Sequence, residues 1–151
     1  MKNKDIIKET VEELLQKMNF EGYLDINSYN EEDTLVNIQT KQAGSLIGQS
    51  GANLNALQRI ARVMVNKKKK GTVYFILDVN NYRKNRIDFL KDLAKNVARQ
   101  TLFNKVSVTL CPLPAHERRI IHLALENNSK VNAESTGEEP MRKIVVKPVN
   151  R

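Results

Sequence analysis

Several residue types that support particular functions are scarce in this sequence. Cys111 is the single cysteine, so an internal disulfide is excluded and nothing requires an oxidising compartment. The chain has no Trp, four Tyr and four Phe, too few for an aromatic stacking platform. No apolar run approaches the roughly 20 residues that cross a bilayer, and the N-terminus does not read as a signal peptide. We therefore expect a cytoplasmic protein without a membrane segment.

Groups that carry out catalysis or bind metals are equally sparse. The two histidines, His116 and His122, are six residues apart and project differently from one predicted helix. The glycine-containing segment 44–51 lacks the Lys-Ser/Thr pair of a Walker loop. The basic part of the chain has no clustered carboxylates for two-metal cleavage of a phosphodiester. We predict no enzyme activity, no catalytic residue, no metal site and no cofactor.

Positive charge is in excess, and it is unevenly distributed. The net charge is +8. Residues 1–40 hold 4 Lys/Arg against 9 Asp/Glu, a net −5, whereas residues 41–151 hold 21 against 8, a net +13. A positive field over most of the chain suits a polyanionic partner such as nucleic acid. The alternative is that this charge serves solubility alone.

The first 78 residues show the pattern helix, strand, strand, loop, helix, strand. Apolar spacing predicts the two helices over residues 4–18 and 52–65. Alternation and β-branched residues predict strands over residues 23–29, 34–40 and 72–77, the first two forming a hairpin. Between the second strand and the second helix lies the predicted loop Gly44-Ser45-Leu46-Ile47-Gly48-Gln49-Ser50-Gly51. Its glycines let the backbone approach a ligand closely, and unpaired N–H groups at the following helix N-terminus favour an anion.

This loop and its amphipathic helix resemble the G-x-x-G loop of a KH domain, which clamps about four nucleotides of a single strand. The element order resembles the type II arrangement of that domain. The resemblance implies an α+β fold over residues 1–78, with a three-stranded sheet and helices. It implies RNA contacts at Lys41, Leu46, Ile47, Gly48, Gln49, Ser50, Gly51, Arg59 and Arg62. The aliphatic walls of the binding groove would come from Leu46, Ile47, Leu54 and Val36.

The second half also alternates helices and strands. A long helix is predicted to begin near Tyr82, capped by Asn80 or Asn81, and to run to about residue 102. A strand at 106–110 ends at a Pro-rich segment, because proline cannot donate to a ladder. A second helix then runs from Pro114 to about Glu126. Two further strands, at 131–135 and 141–149, are joined by a turn containing Gly and Pro.

In the helix after Pro114, Arg118 and His122 are four residues apart and share one face. With Tyr82-Arg83, Arg86, Leu110-x-Pro112 and Ser135-x-Gly137-x-x-Pro140-x-Arg142, this Arg-xxx-His pair resembles the R-three-H domain. That domain is a small nucleic-acid-binding module of three strands and two helices, here expected over residues 79–151. The resemblance implies RNA contacts at Arg83, Arg86, Arg118, Arg119, His122 and Arg142. The alternative for Arg118 and His122 is a packed, internally hydrogen-bonded pair.

A KH domain joined directly to an R-three-H domain resembles the Jag family of bacterial RNA-binding proteins. The resemblance implies a non-catalytic protein that binds single-stranded RNA, or single-stranded DNA, and acts post-transcriptionally. Family members often carry a further N-terminal domain, which we expect this chain to lack. The alternative function is a protein-interaction adaptor that self-associates or pairs with another KH protein.

Overall fold

The computed structural model describes residues 2–28 and 34–150, so Tyr29, the predicted last residue of the first strand, lies outside the described residues. The chain forms two compact units, Met1–Arg83 and Lys84–Arg151. The predicted boundary after residue 78 stays a prediction. No helix in the described parts of the chain is long and apolar enough to cross a membrane.

The first unit is a three-stranded sheet with helices. The antiparallel strands β1 (Tyr23–Ser28) and β2 (Thr34–Gln39) form the predicted hairpin, with Leu24 opposite Ile38. The strand β3 (Ile76–Val79) pairs with β2 in parallel, with Val36 opposite Leu77. This arrangement confirms the predicted α+β fold. Its elements are α1 (Asn3–Lys17), β1 (Tyr23–Ser28), β2 (Thr34–Gln39), α2 (Ala43–Ile47), a 3₁₀ turn (Gln49–Gly51), α3 (Ala52–Lys69) and β3 (Ile76–Val79).

The core of the first unit lies between the sheet and the helices α1 and α3. The helix α3 is longer than predicted, and its buried stripe is Leu54, Leu57, Ala61 and Val65. Ile60, predicted in that stripe, is 50% exposed, and Met64 is only half-buried. The buried stripe advances by three, four and four residues, so the step from Ala61 reaches Val65 and Met64 lies beside it.

Two boundaries in the first unit differ from prediction. The predicted strand 72–77 begins only at Ile76, because side chains satisfy the backbone before it: Val73 N donates to Asn66 Oδ1 at 2.8 Å, and Phe75 O accepts from Arg62. The segment 44–51, predicted as a loop, begins with helix α2. Leu46 anchors that helix in the core.

The predicted cap of the next helix is also wrong. The N–H of Arg83 donates to both carboxylate oxygens of Asp78, at 3.1 and 3.2 Å. Asn80 instead bonds the backbone of Thr40, and Asn81 bonds Asn37. Both asparagines therefore tie the end of β3 to β2, and the aspartate occupies the helix N-terminus, where negative charge is stabilised.

The second unit has three strands and two helices, as predicted, and its sheet is antiparallel. The helix α4 (Tyr82–Asn104) begins two residues before the division between the units. The strands β4 (Val108–Thr109), β5 (Val131–Thr136) and β6 (Lys143–Pro148) lie in the order β4-β6-β5, with β6 in the centre. The core contains Leu90, Ile121, Ile144 and Val146. The elements are α4 (Tyr82–Asn104), β4 (Val108–Thr109), α5 (Ala115–Leu125), β5 (Val131–Thr136) and β6 (Lys143–Pro148).

The strand β4 is shorter than the predicted strand 106–110. Val106 is 55% exposed and lies outside it. Leu110 keeps one backbone bond to β6, from its N–H to Ile144 O at 2.9 Å. The chain then leaves the sheet at Cys111, where the Pro-rich segment begins.

Candidate nucleic-acid interface

The G-x-x-G loop adopts backbone conformations that require its glycines. Gly48 and Gly51 have φ values of 71° and 79°, in the left-handed region that side chains disfavour. A Cβ added at Gly48 would lie 2.6 Å from Asn53 Cγ, so the loop also leaves no room for one. Asn53 fixes the loop from the following helix, because its Nδ2 donates to Ser45 O at 3.0 Å.

Two backbone N–H groups at the end of the loop donate to carbonyl oxygens within the loop. Gly51 N donates to Gly48 O at 3.3 Å, and the Ala52 N–H donates to Gln49 O. The prediction that the first N–H groups of this helix are unpaired is therefore wrong for Ala52, the first residue of α3. Gln49 is exposed, whereas Ser50 is half-buried and has a positive φ of 53°. Gln49 is thus the loop side chain most accessible to a ligand.

The predicted aliphatic walls are mostly inside the core. Leu46, Leu54 and Val36 are buried, and only Ile47 is half-buried. The sequence did not identify Tyr82 as a neighbour of the loop, since it lies far along the chain. A Cβ at Gly51 would lie 3.1 Å from Tyr82 Cε1. Tyr82 therefore gives this loop an aromatic neighbour that periodicity alone could not reveal.

Two predicted arginines lie along the outer edge of β3. Arg62 donates to Phe75 O from Nε and Nη2, at 3.3 and 3.1 Å. Arg83 Nε donates to Leu77 O at 2.9 Å. Between them, Gln58 Oε1 accepts from Leu77 N at 3.0 Å. These side chains satisfy backbone groups that an edge strand would otherwise leave open.

Arg83 connects this edge to α3. Its Nη1 donates to Asn55 Oδ1 at 3.1 Å and its Nη2 to Gln58 Oε1 at 3.2 Å. Burial lowers the pKa of the Arg83 guanidinium, and the nearby charge of Arg62 lowers it further, while Asp78 raises it. Arginine stays protonated in proteins. The edge of the sheet therefore carries two fixed positive charges, which with the loop 48–51 we call the KH face.

The remaining two cations predicted in this unit are placed differently. Arg59 is exposed on α3. Lys41 lines a groove of about 460 Å³ that contains none of residues 48–51. Lys41 precedes α2, whereas the glycine loop follows α2, and the predicted RNA contact of Lys41 stays a prediction. That groove is lined by Glu21, Gly22, Tyr23, Gln39, Thr40, Lys41, Gln42 and Asn80.

In the second unit, four predicted residues come together around one groove of about 420 Å³, which we call the cationic groove. It lies along α5 and β5, which turn their side chains toward it. Leu123 and Ala115 were not predicted, because neither carries a polar group. The lining residues are Ala115, Arg118, Arg119, His122, Leu123, Ser135 and Arg142.

The two neighbouring arginines of α5 have different environments. Arg118 is buried; its Nη1 donates to Leu113 O at 2.6 Å, and its Nη2 pairs with Glu139 Oε1 at 2.5 Å. Arg119 is exposed, and its side chain makes no hydrogen bond or ion pair with any residue in 2–28 or 34–150. The Arg119 guanidinium is therefore accessible to an anion, whereas the Arg118 guanidinium is held by its bonds to Leu113 O and Glu139.

The other two predicted residues of the groove are held by the turn region and β5. His122 Nε2 lies 2.7 Å from Ser135 Oγ, a hydrogen bond in which the imidazole tautomer decides the donor. Arg142 Nη1 donates to Gly137 O at 2.8 Å. His122 thus has an internal hydrogen bond, though to Ser135 and not to Arg118, and it also lines the groove.

Arg86 is not part of the cationic groove. Its Nε and Nη2 contact the two carboxylate oxygens of Glu117, at 2.8 and 2.9 Å, and its guanidinium lies 5.2 Å from the Phe89 ring centre. Glu117 is 1% exposed. The predicted RNA contact of Arg86 stays a prediction, and in this structure Arg86 neutralises a buried carboxylate.

Within the described ranges, no group of three or more His, Cys, Asp or Glu side chains is arranged to hold a metal ion. Cys111 is an exposed free thiol.

Comparison with known proteins identifies both units. The family model of the KH domain matches residues 6–84, and that of the R-three-H domain matches residues 88–148. A protein named RNA-binding protein KhpB from Clostridium symbiosum is 38% identical over 140 residues, covering 91% of this chain and 63% of the relative. Proteins of the same name from Lactiplantibacillus plantarum and Streptococcus pneumoniae are 41% and 32% identical, covering 82% and 90% of this chain.

These relatives are longer than this chain. It spans 38% of the Lactiplantibacillus plantarum protein and 41% of the Streptococcus pneumoniae protein. The chain thus spans less than two thirds of the length of the curated relatives it matches.

Proposed function

The chain belongs to the Jag family, in which a KH domain is joined to an R-three-H domain, and on this premise we propose that it binds single-stranded RNA without catalysing a reaction on it. The names of the relatives, RNA-binding protein KhpB, support this proposal. The proposal includes action after transcription in a bacterial cytoplasm. It also includes single-stranded DNA as a second ligand, because DNA presents the same phosphodiester groups as RNA.

The observation that carries the proposal is the cationic groove. Arg119 and His122 belong to α5 and Arg142 directly precedes β6, yet all three line one concave surface. No side-chain partner of the Arg119 guanidinium is found among the residues that the structure describes. Arginine binds phosphate through two parallel N–H donors, so this groove suits the backbone of a nucleic acid.

The KH face supports a second contact. The left-handed glycines of residues 48–51 keep side chains away from the loop backbone, so a sugar-phosphate chain can approach it. Arg62 and Arg83 add two charges along the edge of the same unit. Because Gln49 and Ser50 are uncharged, we propose that this loop binds phosphate weakly by itself.

The test is the salt dependence of RNA affinity, measured by fluorescence anisotropy with a labelled single-stranded RNA. On single strands, log affinity falls with log salt at about −0.7 for each phosphate contact. With about 3–6 contacts we expect a slope of roughly −2 to −4. A flat dependence would contradict the proposal.

A second candidate function, the adaptor, is favoured by one observation. Ile60 and Val63, 50% and 67% exposed, are three residues apart on α3 and so lie on the same side of the helix. Such apolar side chains are common in protein contacts. Light scattering over a range of protein concentrations discriminates the two candidates: rising mass with salt-independent RNA affinity would favour the adaptor.

A further inference from the structure

A second groove adjoins the cationic groove along α5 and β5. It has a volume of about 300 Å³, and the two grooves share His122 and Leu123. We call it the side groove. Its other lining residues are Leu125, Glu126, Val131, Asn132 and Ala133.

The chemistry of the side groove is opposite to that of its neighbour. The cationic groove contains three arginines, whereas the described residues that line the side groove include neither arginine nor lysine. Its one carboxylate, from Glu126, would repel a phosphate. Leu123 is 55% exposed and gives the groove an open apolar wall. The side groove therefore suits an uncharged group with an apolar surface and a polar edge.

We propose that the side groove takes the base of a nucleotide whose phosphate lies in the cationic groove, an inference that rests on the proposed function. A nucleotide has these two parts, one anionic and one flat and uncharged, joined by a sugar. His122 stands between the grooves, and its ring offers the stacking surface that proteins use for unpaired bases. Leu123, the other shared residue, packs against the same base.

The polar edge of the side groove predicts which bases it prefers. Glu126 as a carboxylate only accepts hydrogen bonds. Such an acceptor at this edge matches the exocyclic amino groups of adenine and cytosine. It repels O4 of uracil, so the site should prefer amino-bearing bases over uracil.

The experiment titrates the full chain with cytidine monophosphate and uridine monophosphate, followed by NMR of the backbone amides. Both nucleotides should shift signals around Arg119 in the cationic groove. Only the cytidine nucleotide should strongly shift Asn132 and Ala133, and it should bind about 2- to 10-fold more tightly, the value of about one hydrogen bond. Equal shifts and affinities for the two would overturn the proposed base preference.

The variant Glu126→Gln tests whether Glu126 determines the base preference. Glutamine has nearly the same shape but can also donate, so the preference for cytidine should fall to below about 2-fold. Asp92→Asn, a charge change at an exposed residue of α4 that lines neither groove, should keep the wild-type preference.

The outcomes separate the two proposals. An unchanged preference in Glu126→Gln, or shifts confined to the cationic groove, would refute the base site and leave RNA binding intact. If neither nucleotide shifts any groove residue while a longer RNA still binds, the base site is likewise refuted. Loss of all RNA binding by the wild-type chain would instead refute the proposed function itself.

Discussion

Arg86 and Glu117 form a two-point ion pair between α4 and α5. The two guanidinium nitrogens lie 2.8 and 2.9 Å from the two carboxylate oxygens. The Glu117 side chain is 2% exposed and that of Arg86 is 26% exposed. Because Glu117 directly precedes Arg118 in α5, this pair fixes the helix turn from which the cationic groove begins.

We expect Glu117→Gln to destabilise the protein by about 2–4 kcal/mol, because the variant removes the negative charge and one of the two carboxylate oxygens that bind the Arg86 guanidinium. Arg86 keeps some access to water, which places the expected cost below the largest values for such pairs. Urea unfolding measures it.

The double variant Arg86→Met with Glu117→Met provides the matched control for this pair. Replacing both charges by apolar groups leaves none unpaired, so the double variant should lose less stability than the sum of its single changes. Strictly additive costs would show that the pair contributes no coupling.

The order of elements could be predicted because it depends on local patterns. Apolar spacing marked α1, α3, α4 and α5, and the hairpin of β1 and β2 followed from two adjacent alternating segments. The failures depend on partners far along the chain. Nothing near residues 72–75 indicates that Asn66 and Arg62 bond that backbone in place of a neighbouring strand.

The candidate site shows the same difference between features that depend on local sequence and features that depend on distant partners. The Arg-xxx-His spacing placed Arg118 and His122 on one face, and the structure brings both to one groove. The residue spacing could not show that Arg118 is buried and bonded to Leu113 O and Glu139. Nor could it show that Glu117, within a charged segment, is buried. These features arise from tertiary packing, which residue spacing does not encode.

The lowered pKa of Glu13 leads to a prediction of how the free energy of unfolding depends on pH. Hydrogen bonds from Lys68 and Lys17, at 2.8 and 3.0 Å, together with their charges lower its pKa from 4.5 to about 2. A carboxylate whose pKa is depressed by folding stabilises the folded state fully above pH 4.5, and this contribution is lost as the pH falls towards 2. Lys68→Ala should therefore flatten the dependence of unfolding free energy on pH in that window.

The control for this prediction is Lys69→Ala, since Lys69 has the same charge, is exposed and has no ion pair among the described residues. Urea unfolding at several pH values compares the two variants. Equal pH profiles for them would contradict the role of Lys68. High salt should reduce the difference, because the pair is accessible to solvent.

The glycine loop is tested by replacing Gln49 and Ser50 with Asp. Two negative charges beside a bound phosphate should weaken RNA binding at least about tenfold. The fold should survive, because Gln49 is exposed and aspartate tolerates the positive φ of Ser50. The same positions changed to Asn keep shape and backbone tolerance without charge, and this control should bind as the wild type does. Equal affinity of the Asp and Asn variants would remove the loop from the interface.

Variants of Arg118 and Arg119, neighbours in one helix, should distinguish an effect on stability from an effect on RNA binding. Arg119→Ala should weaken RNA binding several-fold and reduce the salt slope by about 0.7, the loss of one phosphate contact. Its melting temperature should hardly change, because the side chain is exposed and has no partner in the described chain. Arg118→Ala should cost about 1–3 kcal/mol, because Leu113 O loses its donor and Glu139 its cation.

Conservative variants complete this comparison. Arg119→Lys keeps the positive charge and should retain most of the binding. Arg118→Lys should not restore stability, because a single ammonium lacks the planar fork with which Arg118 reaches both Leu113 O and Glu139. Anisotropy titrations and thermal unfolding measure the two properties on the same samples. If Arg119→Ala binds RNA with wild-type affinity and slope, the free guanidinium of the cationic groove is not a phosphate contact, and the R-three-H half of the proposed interface is wrong.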